Sequence, residues 1–185
     1  GNILDFENLT QENIYVLESP ILSNAQSEKF SNFFRKKIKI LDCTFNVNEN
    51  LKERLDQLRF EAEVAVREGS KHLILSDKGI NQEKIPVPMI LAIGAINSRL
   101  VDLGIRGFTS INVQTCEVLD THSFAVLLGV GATTINPYIT LDSIYQRYEK
   151  KLFGKFNYGE CIQRYIKSVD NGLLKIMSKM GISVL

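Results

Sequence analysis

Ser123-Phe124-Ala125-Val126-Leu127-Leu128-Gly129-Val130-Gly131-Ala132-Thr133-Thr134-Ile135-Asn136-Pro137-Tyr138 is the stretch from which the fold is read. Phe124, Leu127 and Leu128 recur at helical spacing, and glycines follow at 129 and 131. Glycine tolerates the left-handed backbone that ends a helix, so the helix is expected to stop there. The β-branched run 133–135 then predicts a short buried strand, closed by Asn136-Pro137. One helix–strand unit is legible here, and the same grammar recurs upstream.

Leu51, Leu55, Leu58, Ala62 and Ala65 form the apolar stripe of an amphipathic helix over 51–68, and Gly69 closes it. Lys71-His72-Leu73-Ile74-Leu75-Ser76 reads as a strand buried on both faces, with turn residues at 77–79. A helix opening near Pro86-Val87-Pro88 carries Met89, Ile93, Ile96 and Leu100 to Gly104. Further strands are expected at 38–41 and 110–113, and helices at 24–34, 141–152 and 161–180. Strands separated by helices pair in parallel through right-handed crossovers, because they cannot form hairpins. Two architectures satisfy this α/β pattern of successive parallel βα units: an open doubly wound sheet, or half of a (β/α)8 barrel. The second, which is the one expected here, leaves an open edge beside the first or last strand that needs a partner. The expected organisation is a connecting arm at 1–37, a βα core at 38–152 and a C-terminal helical connector at 153–185.

The 185 residues are 44% hydrophobic, which is enough for a substantial core and one domain or a large piece of one. Lys and Arg number 22 against 21 Asp and Glu, so no basic field exists to attract nucleic acid or an anionic membrane. Cys43, Cys116 and Cys161 lie far apart without ligand spacing and with only two histidines, which argues against a disulfide framework or a zinc site. That cysteine usage leads to the expectation of a reducing intracellular compartment; no apolar run reaches membrane length, and the first residues lack the charged and apolar regions of a signal peptide. The chain begins with Gly1, which points to a fragment whose true start lies elsewhere.

Chemistry in a parallel α/β fold gathers at the carboxyl ends of the strands. Asp42, Asp77, Glu117 and Asn136 fall there. Together they could form a carboxylate cluster for a metal or for acid–base work, but Asp and Asn also sit at strand ends to make turns and cap the next helix. The second reading is preferred, because no histidine joins the set. Gly129-Val130-Gly131 ends a helix, whereas a nucleotide-binding glycine loop opens one. Ser178-Lys179 lacks the glycines of a phosphate loop, and His72 and His122 read as packed or capping residues. No cysteine has a basic neighbour in sequence to lower its pKa.

Several motifs, in order, resemble the central domain of glutamate synthase. They are Glu18-Ser19-Pro20-Ile21-Leu22-Ser23, Leu41-Asp42-Cys43-Thr44-Phe45, Glu61-Ala62-Glu63 with Ala65-Val66-Arg67 and Gly69, Leu73-Ile74-Leu75-Ser76-Asp77 with Gly79, and Pro86-Val87-Pro88. Leu128-Gly129 with Gly131-Ala132, Asn136-Pro137-Tyr138, and Leu174-Lys175 with Met177-Ser178-Lys179-Met180-Gly181-Ile182-Ser183 complete the series. Val184 stands where the family pattern has threonine. The resemblance implies one part of a large oxidoreductase that makes two glutamates from glutamine and 2-oxoglutarate, with electrons from ferredoxin or a nicotinamide nucleotide. It implies neighbours in the same polypeptide: a glutaminase domain and a flavin mononucleotide barrel with an iron–sulfur cluster. No catalytic, cofactor-binding or metal-binding residue of that family carries over to this segment. A plastid stroma or bacterial cytoplasm is the implied location. The abundance of Asn, Ile and Lys fits an AT-rich genome such as a plastid's, and with it the ferredoxin type. The alternatives kept beside this reading are a stand-alone enzyme using Asp42, Asp77 and Glu117, and an independent small-molecule binding module.

Overall fold

The computed structural model describes residues 15–184, so residues 1–14 of the expected arm lie outside the described residues. The strands are β1 (Ile38–Asp42), β2 (Thr44–Asn46), β3 (His72–Ser76), β4 (Lys84–Pro86), β5 (Ser110–Gln114) and β6 (Thr134–Asn136). The helices are α1 (Asn24–Phe33), α2 (Leu51–Arg67), α3 (Met89–Asp102), α4 (Thr121–Gly129), α5 (Tyr138–Glu149) and α6 (Tyr158–Met180). β1, β3, β5 and β6 form one parallel sheet in that spatial order. Their order in space is their order in the chain, so this sheet has no reversal of the doubly wound kind. It winds in one direction, as a segment of a barrel does.

The repeated helix stop is a repeated structure. After α2, α3 and α4 the residues Gly69, Gly104 and Gly131 take φ of +96°, +69° and +120°. In each case the amide three residues past the helix donates back to a carbonyl of its last turn: Ser70 to Ala65, Ile105 to Leu100, and Ala132 to Leu127. This paired-bond ending satisfies the orphan carbonyls and aims the chain into the next strand. The α5 terminus uses the same geometry with Lys151 in the left-handed position, at φ +55°.

The sheet has two unlike faces. Leu41, Leu73, Leu75, Ile111, Val113 and Ile135 join Leu58 and Ala62 of α2, Ile93 and Ile96 of α3, and Phe124 and Leu127 of α4 in one apolar core. The opposite face carries a polar ladder: Thr134 donates to Asn112, which donates to Ser110, whose hydroxyl lies 2.7 Å from His72 Nδ1. α1 covers part of this face, with Gln114 donating to Ser27 and the His72 ring 4.0 Å from that of Phe34. Burial and the nearby Lys37 charge lower the His72 pKa, so the neutral ring is favoured.

Three features add to the sequence-based expectation. β2 and β4 form an antiparallel ribbon beside the sheet, held to α2 where Arg54 donates to the Asp42 and Thr44 carbonyls. Each strand is only three residues long and includes Asn or Pro, too short for a periodicity to register. Pro86 therefore ends a strand, and α3 starts at Met89. α5 and α6 begin three residues earlier than periodicity indicated, at Tyr138 and Tyr158; for α6 the start is an Asn157–Glu160 capping box. Finally, the β6 edge is closed: Ile135 N–H donates to Pro20 O and Leu22 N–H to Ile135 O, both at 2.8 Å.

Candidate functional site

The carboxyl ends of the strands bring Asp42, Asp77, Glu117 and Asn136 to one end of the sheet, but each side chain turns to a different task. Asp42 is exposed; its Oδ1 accepts from the Thr44 hydroxyl at 2.8 Å, and Lys84 Nζ lies 3.7 Å from Oδ2. Glu117, leaving the end of β5, accepts the Met89 N–H at 2.8 Å. It places a negative charge on the first turn of α3, where Pro88 offers no capping side chain. Asn136 is 1% exposed and donates to Leu22 O and Asn24 Oδ1, tying β6 to the segment that leads into α1.

Asp77 is the most enclosed of the four, at 0% exposure. Its Oδ2 accepts from the Thr115 hydroxyl at 2.7 Å and from the Cys116 N–H at 2.9 Å, so it fastens the end of β3 to the end of β5. Tyr138 and Cys116 are drawn into this cluster. Burial, with the Asp77 carboxylate beside it, raises the Tyr138 phenol well above its ordinary range, and the same two causes push the Cys116 thiol up to about 11. Both groups stay protonated at neutral pH beside the carboxylate and are not activated as nucleophiles. Lys78 completes the group, with its Nζ 5.2 Å from the Tyr138 ring centroid. Tyr138 and Thr115 escaped the sequence reading; Asn136-Pro137-Tyr138 was legible as a strand stop, and its tyrosine carried no spacing signal toward Asp77.

Among the described residues no three His, Cys, Asp or Glu side chains converge as a metal site. Cys43, Cys116 and Cys161 are free thiols on separate elements, and burial pushes Cys43 up to about 12. Cysteines placed after β1, after β5 and in α6 do not converge and so do not fit an iron–sulfur cluster, which takes convergent thiolates. His72 lies on the polar sheet face and His122 is exposed at the start of α4, where Asp120 caps the helix through Ser123. Gly129 and Gly131 lie at the end of α4, and Ser178 and Lys179 are exposed in the last turn of α6. No described helix is long and apolar enough to cross a membrane.

Comparison with known proteins agrees with the motifs. Residues 1–185 match the family model described as "Glutamate synthase central domain". The chain is 45% identical over 188 residues to the glutamate synthase [NADPH] large chain of Azospirillum brasilense, covering all of this chain and 12% of that protein. It is 37% identical over 202 residues to the chloroplastic ferredoxin-dependent glutamate synthase of Spinacia oleracea, with coverage of 100% and 12%. It is 35% identical over 167 residues to the glutamate synthase [NADPH] large chain of Bacillus subtilis, with coverage of 90% and 11%. The chain thus spans about 12% of the length of these relatives. With its single-wound βα sheet, its glycine-ended helices and its full-length match, the chain belongs to the glutamate synthase central domain family.

Proposed function

We propose that this chain is the linking part of a glutamate synthase large chain. In this reading it holds a glutaminase part and a flavin part in register while two glutamates are made from glutamine and 2-oxoglutarate elsewhere in the polypeptide. The single observation that carries this reading is the use made of the strand ends. Asp42 serves the turn into β2, Asp77 joins β3 to β5, Glu117 caps α3, and Asn136 anchors the segment before α1. Side chains engaged in this way support geometry and leave no convergent acid–base set. Residues 1–37 act as the arm, 38–152 as the βα core and 153–185 as the connector toward the flavin part, with α6 packed against α4 and α5. Relatives named for NADPH and for ferredoxin are both similar, so the electron donor belongs to the regions beyond this chain.

The test is made in a complete large chain. Gly131 has φ +120°, and a Cβ there would lie 2.7 Å from Asn97 Oδ1. Gly131→Lys should leave glutamine hydrolysis intact while glutamate formation from 2-oxoglutarate falls, because the two sites lose their spacing. Equal loss of both activities in a folded variant, or turnover of substrate by the isolated 185-residue chain, would overturn the proposal.

A further inference from the structure

The two edges of the parallel sheet are treated differently. β6 has its outer edge closed by the bridge from Ile21, with main-chain hydrogen bonds on both sides of Ile135. β1 pairs with β3 on one side, and among the described residues no strand or bridge pairs with its other side. An outer strand carries a row of unpaired N–H and C=O groups that template a further strand. The side chains of β1 match such an opening: Lys39, Ile40 and Asp42 are exposed, whereas β3 is buried from Leu73 to Ser76. Ile40 is 61% exposed on the sheet face opposite the apolar core. On the core side, a cavity of about 150 Å³ lies between β1 and α2, lined by Lys39, Phe60, Glu61, Val64, Ala65 and Glu68. Phe60 there is 67% exposed.

We infer that β1 receives a strand from a part of the same large chain outside these 185 residues. The inference rests on the linking role proposed above. The occupant is identified by three features. The exposed strand edge calls for extended backbone, because its outward groups, other than the Asp42 carbonyl that Arg54 holds, are met by main-chain hydrogen bonding. Alternate side chains of an added strand meet two different surfaces, Ile40 on one face and the Phe60–Val64 cavity on the other, so the strand carries an apolar residue toward each, with Lys39 and Glu68 at the rim. The source is the same polypeptide, because this chain spans about 12% of the relatives' length and the rest of such a chain is tethered beside it at high effective concentration.

Amide hydrogen exchange on the complete large chain tests this, with the wild type compared with the Ile40→Asp/Phe60→Ser double variant. Wild-type peptides covering 38–42 should be protected to the level of those covering 110–114. The double variant should exchange at least ~10-fold faster at 38–42 with no change at 110–114. Lys39 should also cross-link, by an amine-reactive reagent, to a residue beyond this segment in the same molecule. The inference fails if 38–42 exchanges as an open edge in the wild type, or if the variant leaves that protection unchanged while still folded. It also fails if Lys39 links only to residues 1–14 or, in mixed isotope-labelled samples, to a second molecule. The Gly131→Lys activity ratio is independent of these readouts: an uncoupled variant with an unprotected β1 edge refutes the strand and keeps the linking role, and the converse refutes the linking role alone.

Discussion

The two kinds of joint in this βα array differ. Where a helix gives way to a strand, one solution recurs: Gly69, Gly104 and Gly131 each take positive φ, and the chain bonds back to the last helical turn. Where a strand gives way to the next element, no two joints are alike. Asp42 holds Thr44, Asp77 holds Thr115 and Cys116, Glu117 reaches Met89, and Asn136 reaches Leu22. The repeated joint sets the path of the chain through backbone geometry. The varied joint fits separate pieces of the fold to one another, which is the work expected of a linking part.

The largest expected effect separates two copies of the repeated joint. Gly131 is crowded by Asn97 as well as being at positive φ, whereas a Cβ at Gly104 meets nothing within 4 Å. Gly131→Val should lower stability by about 4 kcal/mol, from backbone strain and overpacking together. Gly104→Ala should cost about 1 kcal/mol, from the left-handed conformation alone. Urea denaturation of both variants measures the gap, and equal losses would mean that the Asn97 contact does not matter.

The next effect separates two of the varied joints. Asp77→Ala strips a buried acceptor from the Thr115 hydroxyl and the Cys116 N–H, at a cost of about 3 kcal/mol. Asp42→Ala, at an exposed carboxylate facing Thr44 and Lys84, should cost about 0.5 kcal/mol. A cost at Asp42 as large as that at Asp77 would break the distinction between enclosed and exposed strand ends.

A smaller effect of opposite sign is expected at Lys151, which holds the glycine position of the joint after α5 at φ +55°. Lys151→Gly should stabilise by about 1 kcal/mol, seen as a raised thermal midpoint. No gain would indicate that the Lys151 side chain contributes as much as its backbone costs.

The smallest effect is a slope with pH. The folded pKa of His72 lies below its ordinary value, through burial and Lys37, so the unfolded chain takes up the proton first as pH falls. Its stabilising contribution is complete above the ordinary histidine range and is lost as pH drops through that range toward the folded pKa. Denaturation midpoints at a series of pH values should fall in this window, and His72→Gln should flatten the fall.

The sequence was most readable where one residue type has one physical job. Glycine after an apolar helical run marked every major helix–strand joint, and the run Leu73–Leu75 marked a strand covered on both faces. The half-barrel expectation agrees with the single-wound order of the sheet, although periodicity by itself left a doubly wound sheet open, since it carries no information about which strand lies beside which. The β2–β4 ribbon was hidden by strands of three residues, and the Pro20–Leu22 bridge by a segment that resembled a turn. At the strand ends the residue types were legible, but their partners were not. Asp77 meets Thr115, Cys116 and Tyr138 only through the pairing of β3 with β5 and of β5 with β6.

Whether the strand-end groups serve the fold or the reaction is decided by glutamate formation in a complete large chain carrying Asp42→Ala, Asp77→Asn or Glu117→Gln, assayed per folded molecule. The expectation for groups that serve the fold is that kcat of each folded variant stays within about twofold of wild type even where stability falls, because an acid–base group would contribute roughly 100-fold or more. A loss of roughly 100-fold in kcat at Asp77→Asn, with the denaturation midpoint preserved, would contradict it and place a catalytic group in this domain.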